Sequence, residues 1–182
     1  MEFLTIKKED LEMILRWRKS EFVTRYMFTD IEGDMKQQER WYRNLQKDRN
    51  SMYWIVASKG KKLGLVSLND IHWSHKHASW AFYIGEPKYS MIAGMIGPHL
   101  YNYAFYELGL LKLTGEVMEG NDAVRKMHQS HGCREVGCLK KHIYKYGTFH
   151  DVYIYEMLAD EWEMKQERFK KLFPKVEQIS PN

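Results

Sequence analysis

The chain has 182 residues, of which 44% are hydrophobic, 29% charged and 14% aromatic, and this composition predicts one globular domain with a buried core. The formal net charge is +4 and the basic residues are scattered, which argues against a nucleic-acid partner. No stretch of about eighteen consecutive apolar residues occurs, so we expect no membrane segment and a cytoplasmic location. Cys133 and Cys138 are too few for a disulfide framework and fit a reducing compartment.

The first half of the chain predicts a strand, two helices and three further strands. Residues 3–7 alternate as a strand does, and residues 9–20 carry apolar side chains at helical spacing. Asp34 followed by Gln37 is typical of a capping box and marks the start of a second helix. The next predicted strands are residues 52–58, 63–68 and 78–85, which we expect to pair as consecutive antiparallel neighbours.

The stretch from residue 78 to residue 117 combines a strand, a loop that contains Gly94 and Gly97, an amphipathic helix and a second apolar strand. A helix N-terminus presents unpaired N–H groups and the positive end of a dipole, so this order of elements indicates a site for a phosphorylated cofactor. The alternative is an ordinary strand-to-helix loop. Pro98 disfavours a helix interior, so we expect the helix to begin nearer Gly97.

The last part of the chain predicts a helix around residues 121–131 and two strands, 135–141 and 151–158, on either side of a Tyr146-Gly147 turn. Residues 161–173 are charged with a weak apolar face and predict a terminal helix or tail. The element order β α α β β β α β α β β is typical of an α+β fold, with a mixed, mostly antiparallel central sheet and helices on both faces. We therefore expect one domain over residues 1–160 and a C-terminal helix or tail over residues 161–182.

Several segments resemble the GCN5-related N-acetyltransferases, the GNAT family. The segment YAFYELGLLKLTGEVMEGNDAVRKMHQSHG is similar to that family's helix, strand and last helix, which an Asn opens and a Gly closes, here Asn121 and Gly132. Residues 88–93 (KYSMIA) fall on its Arg/Gln-x-x-Gly-x-Gly/Ala pyrophosphate loop, although Lys88 and Met91 depart from that pattern. The segments ILRWRKSEFVTRYMFTD, GLVSLNDIHWSHKHASWAFYIG and LKKHIYKYGTFHDVYIYEMLADEW are similar to the branch that acetylates UDP-4-amino-4,6-dideoxy-N-acetyl-β-L-altrosamine in pseudaminic acid synthesis.

The resemblance, which covers nearly the whole chain, implies a GNAT-type sheet and an enzyme that transfers acetyl from acetyl-CoA to the 4-amino group of a nucleotide sugar. Two alternatives stay open: a GNAT enzyme that acetylates a protein N-terminus or a polyamine, and a non-catalytic acetyl-CoA-binding regulator. A polyamine site should be acidic, whereas the loops here are rich in Arg, Lys and aromatic residues. We expect direct attack by the acceptor amine, because no cysteine lies where a covalent acetyl-enzyme would need one. Whether an edge strand pairs with a second copy as a homodimer also stays open.

The resemblance assigns the cofactor to two strands and the loop between them. Backbone groups of Phe82, Tyr83 and Ile84 would line the pantetheine arm, with one amide facing the thioester oxygen. Asn121 matches the family's cofactor-contacting Asn. The residues expected at the diphosphate are Lys88, Tyr89, Ser90, Met91, Ile92, Ala93 and Gly94.

Two residues are candidates for proton transfer. His128 stands where many family members carry a Tyr as general acid, and an imidazole with a pKa near 6.5 protonates a thiolate more readily than a phenol does. Alternatively, His128 only binds the cofactor or packs. Glu116 lies on the strand beside the expected thioester, where a buried carboxylate with a raised pKa could accept the ammonium proton through water. Its alternative role is to orient the sugar or pair with a cation.

The acceptor would be recognised by aromatic and basic side chains, because a nucleotide sugar offers a base to stack on and a diphosphate to neutralise. We expect no metal, since His128, His131, Cys133, Cys138 and His142 do not follow a zinc-site spacing. His72, His75 and His77 lie in a turn, where solvated or capping histidines are usual. The acceptor-binding candidates are Trp17, Arg18, Tyr26, Met27, Trp80, Glu116 and His150.

Overall fold

The computed structural model describes residues 1–31, 33–165 and 167–177. Eight strands form one sheet in the order β6-β7-β5-β4-β3-β2-β1-β8. The strands are β1 (Glu2–Thr5), β2 (Met52–Ser58), β3 (Lys61–His72), β4 (His77–Ile84), β5 (Lys112–Met118), β6 (Arg134–Lys145), β7 (Thr148–Leu158) and β8 (Lys175–Val176). Neighbouring strands are antiparallel except for the parallel pairs β4–β5 and β1–β8, so the mixed, mostly antiparallel sheet expected from the element order is confirmed.

Helices cover both faces of this sheet. The α-helices are α1 (Leu11–Lys19), α2 (Glu21–Thr24), α3 (Met35–Leu45), α4 (Ala93–Asn102), α5 (Asp122–Ser130) and α6 (Ala159–Lys165), with 3₁₀ turns at Lys8–Asp10, Pro87–Ile92 and Glu167–Phe169 and a π-helical turn at Tyr103–Glu107. Of the described helices, none is long and apolar enough to cross a bilayer. The expected start of α3 is confirmed, because the Asp34 carboxylate accepts a hydrogen bond from the Gln37 backbone N–H at 3.0 Å.

Each face of the sheet has its own apolar core. One core joins the sheet to α4 and α5 and includes Trp80, Tyr101 and Leu113. The other lies beneath α1 and includes Trp17 and Tyr83. Because successive side chains of a strand point to opposite faces, β4 contributes to both cores.

Helix α4 begins at Ala93 and contains Pro98, so the expectation of a start nearer Gly97 was wrong. A proline inside a helix leaves the carbonyl four residues earlier without its backbone donor. That carbonyl belongs to Gly94, and Nε2 of His131 lies 2.7 Å from its oxygen. A side-chain donor from the residue that follows α5 thus replaces the missing N–H group.

The C-terminal segment packs against the sheet domain. Trp162 is fully buried and its indole N–H donates to Oδ1 of Asn102 at 2.7 Å. The predicted helix over residues 161–173 is shorter in the structure, because α6 ends at Lys165, and β8 then pairs with β1. Residue 166 and residues 178–182 of the predicted terminal segment lie outside the described residues.

Candidate active site

The two central parallel strands separate partway along their length. Within the described chain, β4 and β5 pair only over His77–Ser79 and Lys112–Thr114, whereas β4 continues to Ile84 and β5 to Met118. Beyond the last pair, the β5-facing backbone groups of β4 are no longer engaged in that ladder. Phe82, Tyr83 and Ile84, which were expected to line a pantetheine arm, lie in this unpaired part of β4.

The segment after β4 is exposed and helical. It forms a 3₁₀ turn from Pro87 to Ile92 that leads directly into α4. Of the seven residues expected at a diphosphate, Lys88, Tyr89, Ser90, Met91 and Gly94 are exposed, and Ile92 and Ala93 are half-buried. The Tyr89 hydroxyl accepts a hydrogen bond from Nζ of Lys61 at 2.9 Å, so a second lysine adds positive charge beside the segment.

The termini of α5 confirm the positions expected for Asn121 and Gly132. Asn121 is the residue before the helix, and its side chain makes no capping hydrogen bond. Gly132 follows the helix with a φ of 85°, a conformation that glycine adopts without strain. Asn121 lies directly after the Gly120 turn that follows the buried end of β5 at Met118.

His128 lies in the core rather than at the surface. It is 3% exposed, its ring stacks on Tyr155 with centroids 4.9 Å apart, and Trp80 contacts it edge-on at 5.3 Å. Burial, with a smaller contribution from His131, lowers the pKa of His128 to about 3. The imidazole is therefore neutral at physiological pH, and the argument for an acid with a pKa near 6.5 does not hold at this position.

His128 nevertheless borders the unpaired part of β5. A Cβ atom added to Gly115 would lie 2.9 Å from Cε1 of His128 and 3.3 Å from Nε1 of Trp80. Within the described residues, Nδ1 of His128 is buried without a hydrogen-bond partner. Only glycine at this strand position lets the imidazole approach the backbone so closely.

Glu116 is exposed, which differs from the buried carboxylate expected from the sequence. On β5 the neighbours Gly115 and Val117 are buried, and strand alternation directs Glu116 to the other face of the sheet. Its backbone is paired with Ile154 of β7. Glu116 thus stands on the solvent side of β5, next to the point where β4 and β5 have separated.

A cavity of about 540 Å³ lies between the sheet and helices α1 and α3, and we refer to it as the α1–α3 cavity. Its lining includes Ala81, Phe82 and Tyr83, which belong to the part of β4 that is not paired with β5. A molecule held in this cavity would therefore reach the separation between the central strands. Two of the acceptor candidates, Arg18 and Met27, line the cavity.

The other acceptor candidates lie elsewhere. Trp17 is buried, donates its indole N–H to Glu86 Oε1 at 2.9 Å and fills the space beside Gly85. Trp80 points into the opposite core, against Tyr101. Neither side chain is placed to touch a molecule in the α1–α3 cavity, because helix spacing and strand alternation direct both away from it. Of the remaining three candidates, Glu116 is exposed on β5 as described above. Tyr26 and His150 are half-buried outside the cavity, the first beneath the Arg25 guanidinium and the second with Nε2 3.1 Å from the Lys145 carbonyl oxygen.

Among the hydrogen-bond donors of the cavity, some have partners and others do not. Arg18 donates through Nη2 to the carbonyl and hydroxyl oxygens of Thr29 at 3.1 and 3.3 Å. Its Nη1 atom and the Tyr83 hydroxyl are buried without partners among the described residues. Burial raises the pKa of Tyr83, so its hydroxyl stays protonated and can donate at neutral pH. Burial lowers the pKa of Arg18, because removing the guanidinium from water disfavours its charge.

The cavity carboxylates, in contrast, are engaged. Asp34 caps α3, as described above. Asp30 forms a salt bridge with Lys145 at 2.6 Å and accepts a hydrogen bond from Thr24 at 3.1 Å. The hydrogen bond from Lys145 is the main reason that the pKa of Asp30 is held below its usual value.

Sequence reasoning missed several cavity residues. The alternation of β4 could have placed the Tyr83 side chain opposite Trp80 and Phe82, but we assigned only its backbone. Tyr53, Trp41 and Asp30 carry no local signal, because they come from separate elements that meet only in the fold. Within the described residues, no three His, Cys, Asp or Glu side chains are arranged to hold a metal ion.

Comparisons with known proteins identify the family. Residues 1–134 match the family described as acetyltransferase (GNAT) domain. Acetyltransferase PseH of Campylobacter jejuni is 23% identical over 127 residues, which cover 70% of this chain and 78% of PseH. The putative ribosomal N-acetyltransferase YdaF of Bacillus subtilis is 27% identical over 123 residues, or 67% of each chain.

A solved structure shares the fold at low sequence identity. Spermidine N-acetyltransferase from Vibrio cholerae, in complex with CoA and spermine, gives a TM-score of 0.81 at 20% identity and covers 87% of this chain and 95% of its own. Because the family match spans most of the chain and the central strands separate as described, the chain belongs to the GNAT family and is an N-acetyltransferase that uses acetyl-CoA.

Proposed function

We propose that the protein acetylates the 4-amino group of a UDP-linked amino-deoxy sugar of the kind used in pseudaminic acid synthesis. The observation that carries this proposal is the polarity of the α1–α3 cavity. Its guanidinium, Arg18, has a buried donor without a partner among the described residues, whereas Asp30 and Asp34 already have partners. A buried donor without a partner is costly, and an anionic group would satisfy it.

The size and walls of the cavity also suit a nucleotide sugar. A volume of about 540 Å³ is within the range of small-molecule sites. Trp41 and Tyr53 meet edge-to-face at 5.6 Å on its wall, so flat rings are available for a base or a sugar. A polyamine would instead be held by carboxylates, and Oδ1 of both Asp30 and Asp34 in the described lining already accepts hydrogen bonds from the protein.

The residues around the central strands fit acetyl-CoA, which supplies the acetyl group as a thioester. The unpaired part of β4 offers backbone groups to a pantetheine arm, and the exposed helical segment after it offers amides and Lys88 to a diphosphate. The buried Nδ1 of His128, beside Gly115, is a polar atom for which the described residues supply no partner. These are the places where the family's cofactor is expected.

The side chains then have distinct tasks. Arg18 and Tyr83 bind the acceptor's anionic group and orient its amine toward the separation between β4 and β5. Glu116, exposed at that separation, accepts the ammonium proton through water. His128 is neutral, so its part is to hold the site's geometry and to offer a hydrogen bond rather than an acidic imidazolium.

The proposal is tested by measuring release of free thiol from acetyl-CoA with a panel of acceptors. The panel contains UDP-4-amino-4,6-dideoxy-N-acetyl-β-L-altrosamine, spermidine and a peptide with a free N-terminus. We expect kcat/KM for the nucleotide sugar to exceed the others at least about 100-fold, since unpaired polar groups discriminate strongly between substrates. A higher value for spermidine or the peptide would overturn the proposal.

The variant Arg18→Gln tests the proposed role of Arg18 in binding the acceptor's anionic group. Losing a charge-assisted hydrogen bond of about 1.5–3 kcal/mol should raise KM for the nucleotide sugar by roughly 10- to 100-fold. Arg16→Gln is the control, because Arg16 is exposed on the same helix and does not line the cavity. Equal effects of the two variants would remove the anion-binding role of Arg18.

A further inference from the structure

Lys145 is a buried lysine that connects two distant parts of the chain. It is the last residue of β6, and its side chain is only 3% exposed. Its ammonium group donates to the carbonyl oxygens of Thr24 and Met27, each at 2.8 Å, and to Oδ1 of Asp30 at 2.6 Å. All three acceptors belong to the segment that follows α1 and forms one wall of the α1–α3 cavity.

The contacts with the two carbonyls could be made by any donor, but the contact with Asp30 depends on charge. A lysine is rarely buried unless its charge is compensated. Asp30 is the carboxylate that supplies this compensation, and it lines the same cavity as Arg18. Lys145 itself is not part of the cavity lining, so it would act on the acceptor only through Asp30.

Asp30 is close enough to Arg18 for the two charges to interact. The Arg18 guanidinium donates to Thr29, the neighbour of Asp30 in the chain. Each group also shifts the other's pKa in the direction expected of opposite charges. Without Lys145, Asp30 would present an unneutralised carboxylate to the cavity and would compete with an anionic ligand for the guanidinium.

We propose that Lys145 is a specificity-determining positioning residue, which holds Asp30 so that Arg18 stays available for the anionic group of the acceptor. This inference rests on the proposed function, because it assumes an anionic acceptor. Without Lys145, the preference of the cavity would move from anionic ligands toward cationic ones.

The test measures binding of two probes, UDP and spermidine, by titration calorimetry, and KM for the acceptor. Lys145→Met removes the charge at similar length, and we expect UDP binding to weaken about tenfold relative to spermidine binding, the size of one modest charge interaction. KM for acetyl-CoA should stay unchanged. Lys140→Met is the control, since Lys140 forms a comparable exposed pair with Asp151 at 2.7 Å on the same strand.

The double variant Lys145→Met/Asp30→Asn separates charge from anchoring. It lacks the same lysine contacts but carries no free carboxylate, so UDP affinity should return to within about threefold of the wild type. Asp30→Asn alone should leave UDP affinity within about threefold of the wild type, because Lys145 already keeps Asp30 from competing for Arg18, and it tests the inference even if Lys145→Met does not fold. A double variant as weak as Lys145→Met, or an Asp30→Asn variant that binds UDP about tenfold more tightly than the wild type, would overturn the inference.

Failure of the proposed function would look different. If the wild type binds spermidine and not UDP, the nucleotide-sugar proposal is wrong, and the role of Lys145 then requires Lys145→Met to bind spermidine more tightly than the wild type. If the wild type binds neither probe, the inference that this cavity selects its ligand by charge is wrong. Thiol release with the nucleotide sugar reports on the function independently of both probes.

Discussion

Nε2 of His131 lies 2.7 Å from the carbonyl oxygen of Gly94, the carbonyl that Pro98 leaves without a backbone donor. His131 follows α5 and is buried, whereas Gly94 is in the first turn of α4. Gly97 makes room for the contact, because a Cβ atom there would lie 2.8 Å from the imidazole. The start of α4, and with it the segment proposed to bind a diphosphate, therefore depends on the side chain of the residue that follows α5.

Substituting His131 should expose this dependence. His131→Leu leaves the Gly94 carbonyl without its donor, and we expect a loss of about 1–3 kcal/mol in the free energy of unfolding, measured with urea. Pro98→Ala restores a backbone N–H at the position that can bond Gly94, so the double variant Pro98→Ala/His131→Leu should recover more than half of the loss. Independent, additive effects of the two substitutions would contradict this account of the helix start.

The buried His128 predicts how stability depends on pH. Its pKa is about 3 in the folded protein and near 6.5 in the unfolded chain, so the unfolded state binds more protons between these values. The stabilisation is fully present above pH 6.5 and is lost as the pH falls toward 3. Between pH 7 and pH 5 this residue alone should lower the free energy of unfolding by about 2 kcal/mol.

The measurement is urea unfolding of the wild type and of His128→Phe at both pH values. The variant should lose about 2 kcal/mol less than the wild type on acidification, because a phenyl ring takes up no proton. His131 and His99, whose pKa values burial also lowers, are present in both proteins and cancel from the comparison. An equal loss in the two proteins would mean that His128 is accessible to protons in the folded state.

Gly115 is expected to tolerate no side chain. In Gly115→Ala the added Cβ would lie 2.9 Å from Cε1 of His128, and shifting the packed imidazole should cost about 1–3 kcal/mol in the free energy of unfolding. Gly137→Ala on β6 is the matched control, since no atom lies within 4 Å of a Cβ built there. The melting temperatures of both variants test this expectation. Equal melting temperatures would show that the His128 imidazole moves to accommodate the added Cβ atom.

Lys88 is expected to contribute modestly to acetyl-CoA binding. Acetyl-CoA at 100 times its Kd should stabilise the wild type by about 2.7 kcal/mol, as any ligand specific for the native state does. Because Lys88 is exposed, Lys88→Ala should weaken acetyl-CoA binding only about two- to fivefold, with KM for the acceptor unchanged. Lys47→Ala, at an exposed lysine after α3, serves as the control, and matching Kd values for the two variants would remove Lys88 from the site.

Local patterns in the sequence predicted the strands other than β8 and most of the helices, because alternation, helical spacing and capping each depend on a few neighbouring residues. The position of Gly132 after a helix came from the family resemblance. The resemblance to the GNAT family added the sheet type and the enzyme class. It could not establish side-chain environments. Glu116 was expected to be buried and is exposed, and His128 was expected near pKa 6.5 but is buried deeply enough to lower its pKa to about 3.

The sequence by itself determined the order of elements and the family, since both can be recognised from short segments of the chain. The tertiary structure alone decided where α4 begins, which candidates reach the α1–α3 cavity, and that Lys145 neutralises Asp30 across 115 residues of sequence. The physical reason is that burial and pairing of charges depend on atoms that the fold brings together. Neither can be read from residues that are neighbours only along the chain.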